Sequence, residues 1–489
     1  MEKNIVLCSD GTGNKAIKDR GSNVFKLYEA VERHGSTQQL VFYDDGVGTD
    51  DIKLLKILGG AFGFGMSRNV RELYCNLARS YSPGDKIYLF GFSRGAYTAR
   101  TLAGFISRCG VLDISTCTTD KDVMRKVKGA YKAYRHDYNT LVTRVWRYMF
   151  SWLTRYRFGF TRIDEFTQYT HENGNTPIQF IGVWDTVSAV GFPVMGVSNM
   201  IDKFIYKYKF PTTTLHKNVR QACHAVSIDD KRKTFHPELW DESNETGSRI
   251  QQVWFAGVHA NVGGGYQKHG MSLVAMDWMM KKSQAMGLVF NQNDAAFFQQ
   301  HADVNDKLYN SRSGIGAYYR YEPRNIYKIC QKYGIQTPLI HESVLLRSQN
   351  LTDGYAPGNL PRGLKFVSSD QGGYVLTDKS DAIDKAMGSN TTLLDKVSPW
   401  IGMRKSLQLI FYVLTAAVIY LLYKENSISL VSRIFADMGD LSAWVELVKI
   451  MLYAGLLVPV ILVGGMSIKA RKKIQNTFSG FWYQMRGAT

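Results

Sequence analysis

Cysteine is scarce. The 489 residues hold six, Cys8, Cys75, Cys109, Cys117, Cys223 and Cys330, with no CxxC spacing among them. This excludes a disulfide-stapled scaffold and a thiolate zinc site, and fits small buried side chains in a reducing compartment. No cofactor or metal is expected. Acidic residues are also short, 42 Asp and Glu against 60 Lys and Arg, which leaves a net charge of +18. Such a balance favours an anionic partner: nucleic acid, an acidic lipid surface or a phosphorylated substrate. Nucleotide-binding loops are missing as well. There is no Walker A, and GGAFGFG at 59–65 neither keeps the GxGxxG spacing nor follows a clear strand. Internal repeats and low-complexity tracts are absent. NIVLCSDG begins at residue 4, too early for a secretory leader to precede it, so none is expected.

What is present is globular. Hydrophobic residues make up 45% and charged ones 21%. The length exceeds one average domain, so a large core with an appendage is expected. Two apolar stretches near the C-terminus supply the appendage. SLQLIFYVLTAAVIYLLY (406–423) runs 18 residues without a charge and IMLYAGLLVPVILVGGMSI (450–468) runs 19. A bilayer core takes roughly 17–25 such residues in a helix. Pro459 and the Gly464–Gly465 pair are tolerated in a membrane span. Arg404 and Lys405 before the first stretch and Lys469, Arg471, Lys472 and Lys473 after the second place both ends on the cytoplasmic side. The alternative is a pair of buried core helices. The division expected is a catalytic domain at 1–395 and a membrane region at 396–489.

The first 110 residues alternate strand and helix signals. NIVLCSD, LVFYDDG and KIYLFG are short apolar runs. SNVFKLYEAVERHG, capped by Ser22 or Asn23, and the stretch 67–81 carry helical spacing. IQFIGVWDT (178–186) and QQVWFAGVHANVGGG (251–265) are two further buried strands, each released into a titratable residue. This is the rhythm of a mostly parallel α/β sheet covered by helices, and ligands bind at the C-terminal ends of such strands. The stretch Lys121–Arg162 departs from it, with 11 Lys and Arg, two Asp and ten aromatics. An insertion at about 113–175 is expected as a cap or lid, with Trp146, Arg147, Trp152 and Arg155 meeting substrate and lipid headgroups. A solvated helical cap is the alternative.

Gly91-Phe92-Ser93-Arg94-Gly95 is GxSxG, preceded by YLF and followed by the small Ala96 and Ala99. A nucleophilic serine needs this sharp strand-to-helix turn, and the glycines let strand and helix approach closely. A mere helix cap is the alternative. The serine needs a base oriented by an acid, and on this fold the order is Ser, Asp or Glu, then His. Asp185 and His259, each after a buried strand, satisfy that order. Asp229 and Asp230 are reserve acids, and His216, His224, His236, His269 and His341 are weaker bases. The oxyanion hole needs two amides. Arg94 supplies one by geometry, and Gly11 or Thr12 in the loop DGTGN (10–14) supplies the other.

Seven stretches in order, DGTGN, YDDGVGT (43–49), YSPGDKIYLFGFSRGAYTAR (81–100), GVWDTV (182–187), SIDDKRKTFHPELW (227–240), WFAGVHANVGGGY (254–266) and HESVLLR (341–347), resemble one bacterial family. It is the α/β-hydrolase-like group that includes the phospholipase effectors of type VI secretion, and the likeness spans roughly residues 1–365. The resemblance implies an acyl ester hydrolase on glycerophospholipids with the triad Ser93, Asp185 and His259. Family members commonly carry Asp where Asn261 stands. The expected protein is therefore a membrane-anchored serine phospholipase, an antibacterial or defence effector. Its partners are a phospholipid membrane and an immunity, regulatory or secretion protein. Its place is a bacterial inner membrane, with the catalytic domain cytoplasmic, or a target cell reached by type VI secretion. An esterase for another acyl substrate and a toxin acting through the C-terminal hairpin are the alternatives. Nucleic acid is not expected, since the positive charge is mixed with aromatics and no nucleic-acid motif is present.

Overall fold

A computed structural model describes residues 2–11, 21–46, 62–136, 176–187, 213–368, 374–375, 378–424, 455 and 457–487. Nine strands form one sheet: β1 (Asn4–Ser9), β2 (Gln39–Asp44), β3 (Lys86–Phe92), β4 (Ile178–Trp184), β5 (Val219–Ser227), β6 (Ile250–Phe255), β7 (Leu339–His341), β8 (Lys365–Val367) and β9 (Tyr374–Val375). Their spatial order is β2-β1-β3-β4-β5-β6-β7-β8-β9. Every pairing is parallel except β8 with β9. This mostly parallel sheet with helices on its faces fits the α/β-hydrolase-like fold. The chain runs outward from β1 to β2, then returns to the other side with β3. The switch between β1 and β3 opens a crevice at their C-terminal ends.

The helices that fix the site are α1 (Asn23–Ala30), α2 (Phe62–Ser80), α3 (Arg94–Cys109), α4 (Asp120–His136), α5 (His259–Gly263), α6 (Gly270–Gln284), α7 (Ser398–Lys424) and α8 (Leu457–Gly487). Helix α1 starts where Ser22 Oγ accepts the Phe25 amide at 3.2 Å, the cap its sequence offers. Helices α2, α3 and α4 bury Leu73, Tyr74, Leu102, Phe105 and Tyr131 on one face of the sheet, while α1 and α6 bury Val24, Leu27, Leu273 and Trp278 on the other. Covered on both faces, β1 and β3 have no polar side to show. Hence NIVLCS is wholly buried and KIYLFGF is buried after Lys86.

Helix α4 opens the segment read as a lid. Val127, Ala130, Tyr131 and Tyr134 are instead part of the core beside α2 and α3. The remainder of that segment, with Trp146, Arg147, Trp152 and Arg155, lies outside the described residues. So does Thr12.

The membrane hairpin needs correction. Among the described residues no helix is long and apolar enough to cross a membrane, so the spans read at 406–423 and 450–468 are not supported. One end of each helix is instead fastened to the globular domain. On α7, Gln408 is buried; its side chain accepts from the Tyr321 amide at 2.6 Å and donates to the Tyr319 carbonyl at 2.7 Å. On α8, Phe481, Trp482 and Met485 join a third core with Val344 and Phe366. The Trp482 indole there donates to the Pro357 carbonyl at 2.8 Å. Both helices thus dock on the globular domain, and they pack along each other. Beyond the docked turns they turn apolar side chains outward: Val413 is 62% exposed, Ile461 69% and Leu462 62%. Residues 425–454 between them lie outside the described residues.

Candidate active site

Ser93 follows β3 directly and precedes α3. Its φ of 59° and ψ of −120° lie where a non-glycine residue is strained, at a cost of about 1–3 kcal/mol. The flanking glycines permit the turn. A Cβ on Gly95 would meet the Ser9 carbonyl oxygen at 2.1 Å, and one on Gly91 would meet the Gly95 carbonyl oxygen at 2.5 Å. Helix α3 therefore leaves the sheet in direct contact with the end of β1.

Asp185 follows β4, and its φ of 38° is also in the left-handed region. The Ser93 amide donates to the Trp184 carbonyl at 3.0 Å and the Asp185 amide to the Ala225 carbonyl at 2.8 Å. The sheet ladder thus extends to both residues. His259 opens α5, four residues past β6. Its Nε2 lies 2.8 Å from Ser93 Oγ and its Nδ1 2.6 Å from Asp185 Oδ2. A carboxylate only accepts, so Nδ1 carries the proton and Nε2 is left to accept from the serine hydroxyl. Phe92 and Phe235 flank the imidazole, with ring centroids at 4.7 and 5.0 Å. The predicted Ser93, Asp185 and His259 are thus brought into one hydrogen-bonded line from three strand ends.

A residue that the sequence did not point to completes the line. Arg324 is wholly buried; its Nη1 donates to Asp185 Oδ1 at 2.7 Å and its Nη2 to Oδ2 at 2.9 Å. The same guanidinium donates to the carbonyls of Ser227, at 2.5 Å, and Phe235. Ser227 adds its amide to Oδ1 at 2.9 Å and its hydroxyl to Oδ2 at 3.2 Å. Burial pushes the Asp185 carboxyl up, but the Arg324 charge and the hydrogen bonds from His259 and Arg324 outweigh it. They hold the group well below the usual carboxylate range. Burial pushes the His259 imidazole below its ordinary value, with Asp185 opposing.

The other candidates are placed elsewhere. Asp230 pairs with Arg232 at 2.7 Å and accepts the His259 backbone amide at 3.3 Å. Asp229 accepts from the Gly257 amide and the Tyr355 hydroxyl. His224 is buried in β5, and its Nε2 accepts the Thr186 amide at 3.0 Å; desolvation takes it down to about 3. His341 is stacked on Phe255 and is likewise taken down to about 3 by burial. The Asn261 side chain is hydrogen-bonded to backbone groups: its Nδ2 donates to the Lys307 carbonyl at 3.0 Å and its Oδ1 accepts the Tyr309 amide at 3.3 Å. The Arg94 amide sits beside Ser93 at the start of α3. The Gly11 amide is turned onto Asp10 Oδ1 at 2.6 Å, so the second oxyanion donor is not Gly11 in this arrangement. Asp10 also accepts from Ser22 at 2.5 Å and Tyr43 at 2.8 Å, which ties the loop after β1 to α1 and β2. Among the described residues no group of three or more His, Cys, Asp or Glu is placed to hold a metal ion.

Comparison with known proteins adds three findings. Uncharacterized protein YEL023C of Saccharomyces cerevisiae is 30% identical over 246 residues, which is 48% of this chain and 32% of the yeast protein. The chain therefore spans about a third of the length of this relative. The crystal structure of an uncharacterized protein from Pseudomonas aeruginosa aligns with a TM-score of 0.34 and 18% identity, covering 62% of this chain and 49% of that one. Residues 3–282 match the family described as T6SS, Phospholipase effector Tle1-like, catalytic domain, and over that majority of its length the chain belongs to this family.

Proposed function

We propose that the chain is a serine phospholipase that hydrolyses fatty-acyl esters of glycerophospholipids. The observation that carries this reading is the continuous line from Ser93 Oγ through the His259 ring to Asp185, at 2.8 and 2.6 Å. Ser93 Oγ attacks the acyl carbonyl carbon while His259 Nε2 takes its proton. The Arg94 amide, with a second amide from the loop after β1, holds the oxyanion. The bond to the glycerol oxygen then breaks as Nε2 returns the proton to that oxygen, leaving an acyl-serine. Water, deprotonated by the same nitrogen, releases the fatty acid and restores Ser93. Asp185 keeps the proton on Nδ1 throughout, and Arg324 keeps Asp185 in place.

The substrate lies in a bilayer, and the outward apolar faces of α7 and α8 support action at a membrane surface. Membership of an effector family supports lipids of a target cell as the substrate and an immunity protein as the partner. The test is fatty-acid release from phospholipid vesicles by the wild type and by Ser93→Ala. Loss of release with vesicle binding retained is the expected result, and release persisting in Ser93→Ala overturns the proposal. Growth arrest of bacteria expressing the wild type, absent with Ser93→Ala, tests the effector role.

A further inference from the structure

A cavity of about 820 Å³, whose lining does not include Ser93, Asp185 or His259, is walled by the Ile228–Lys231 loop, by Arg324, and by α7 and α8 through Arg404 and Arg471. Two of the six flanking cations that suggested membrane topology in the sequence, Arg404 and Arg471, thus face a pocket. Carboxylates also line it, but they are taken. Asp229 accepts from Gly257 and Tyr355, Asp230 is held by Arg232, Asp303 accepts the Asn305 amide at 2.7 Å, Asp306 accepts the Gly270 amide at 2.7 Å, and Asp353 pairs with Arg347 at 3.1 Å. By contrast, Lys231, Arg404 and Arg471 have no carboxylate within ion-pair distance among the described residues.

These three cations also repel one another. Lys231 opens to solvent inside the concavity yet is surrounded by protein. Desolvation pushes its ammonium below the ordinary value and Arg404 and Arg471 add to this, with Asp229 opposing. Arg404 is half-buried and packed over the Tyr321 ring at 3.9 Å, and its Nε is buried without a hydrogen-bond partner. Desolvation and the charge of Arg471 lower it too. Unpaired cations gathered in a concavity at a cost in mutual repulsion are relieved by a bound anion. The surroundings say which anion. Nine residues beyond Arg404 on the same helix stands the exposed Val413, and ten before Arg471 on the other stands the exposed Ile461. At a rise of about 1.5 Å per residue the apolar faces lie roughly 14–15 Å from the charges, the spacing of acyl chain and headgroup.

We propose that this cavity binds the phosphate of an anionic phospholipid headgroup through Lys231, Arg404 and Arg471, at a site distinct from Ser93. The inference deepens the membrane reading above, and its test does not depend on catalysis. The full-length Ser93→Ala protein is titrated calorimetrically with dihexanoylphosphatidylglycerol below its micelle concentration, and separately with inorganic phosphate. Saturable binding of the lipid is expected, tighter than that of inorganic phosphate. Lys231→Gln and Arg471→Gln, at solvent-exposed side chains, each weaken it about tenfold, the worth of one charge-assisted contact. Lys86→Gln, the same charge change at the opposite end of β3, leaves it unchanged and controls for net charge. Absence of lipid binding, equal affinity for inorganic phosphate, or equal weakening by Lys86→Gln overturns the proposal. A failed nucleophile would show separately, as fatty-acid release by Ser93→Ala.

Discussion

Replacing Arg324 by Met tests how the triad is held. The guanidinium donates to both oxygens of Asp185 and to two backbone carbonyls, and neither side chain of the pair is exposed at all. Methionine preserves much of the volume but leaves Asp185 a buried anion with only Ser227 and His259 as donors. Breaking a buried pair from one side costs about 3–5 kcal/mol, far above the 0–1 kcal/mol of a surface pair. Denaturant midpoints of wild type and Arg324→Met measure this directly. The kinetic consequence is separate. A carboxylate freed to shift misplaces the imidazole, and small misplacements cost about 10–100-fold in kcat with little change in KM. An uncompensated Asp185 charge also favours the imidazolium, so the acid limb of kcat/KM moves to higher pH in the variant. A merely structural role for Arg324 would leave that limb in place. An unchanged midpoint, together with kcat and pH profile equal to wild type, would refute the reasoning.

Three other outcomes follow from the site geometry. In the wild type, burial lowers His259 from its ordinary 6.5, so the neutral base persists to lower pH. The acid limb of kcat/KM then falls below 6.5, and the stability from keeping this ring neutral is lost as pH drops below 6.5 through the folded value. Gly95→Ala drives a Cβ to 2.1 Å from the Ser9 carbonyl oxygen, so α3 must move off β1. Esterase activity is expected to fall by more than about 100-fold with a lowered melting temperature, since misplacing the nucleophile by 1 Å suffices for that loss. Asn261→Asp faces a carboxylate with the Lys307 carbonyl that Nδ2 now donates to. It is expected to destabilise the fold by about 1–3 kcal/mol without raising kcat, as denaturation and kinetics together would show.

Much of the site was legible because it is local or repeats along the chain. GxSxG declares its own turn, and the apolar runs before Ser93 and Asp185 mark strands buried on both faces. The sequence placed His259 at a strand end, and the structure sets it in the short α5 four residues past β6. Strand β5 escaped notice because Arg220, Gln221 and His224 interrupt VRQACHAVS, and β7 and β8 are three residues each. Arg324 had no signal at all. It stands 139 residues from Asp185 in YEPRN, a stretch with neither periodicity nor motif, and only the fold joins them. The flanks of the apolar stretches misled for a related reason. Positive charge beside an apolar run looks alike whether it meets headgroups or a pocket, and the docking residues Gln408 and Trp482 carry no mark of their partners.

The most direct test is to find which residue reacts as the nucleophile. The wild type is treated with a fluorophosphonate, digested, and mapped by mass spectrometry, with fatty-acid release from phospholipid followed on the same sample. The account predicts one adduct per chain on Ser93, with release lost in proportion to labelling and no adduct on Ser93→Ala. Labelling at another residue, or release that survives complete labelling of Ser93, would contradict it.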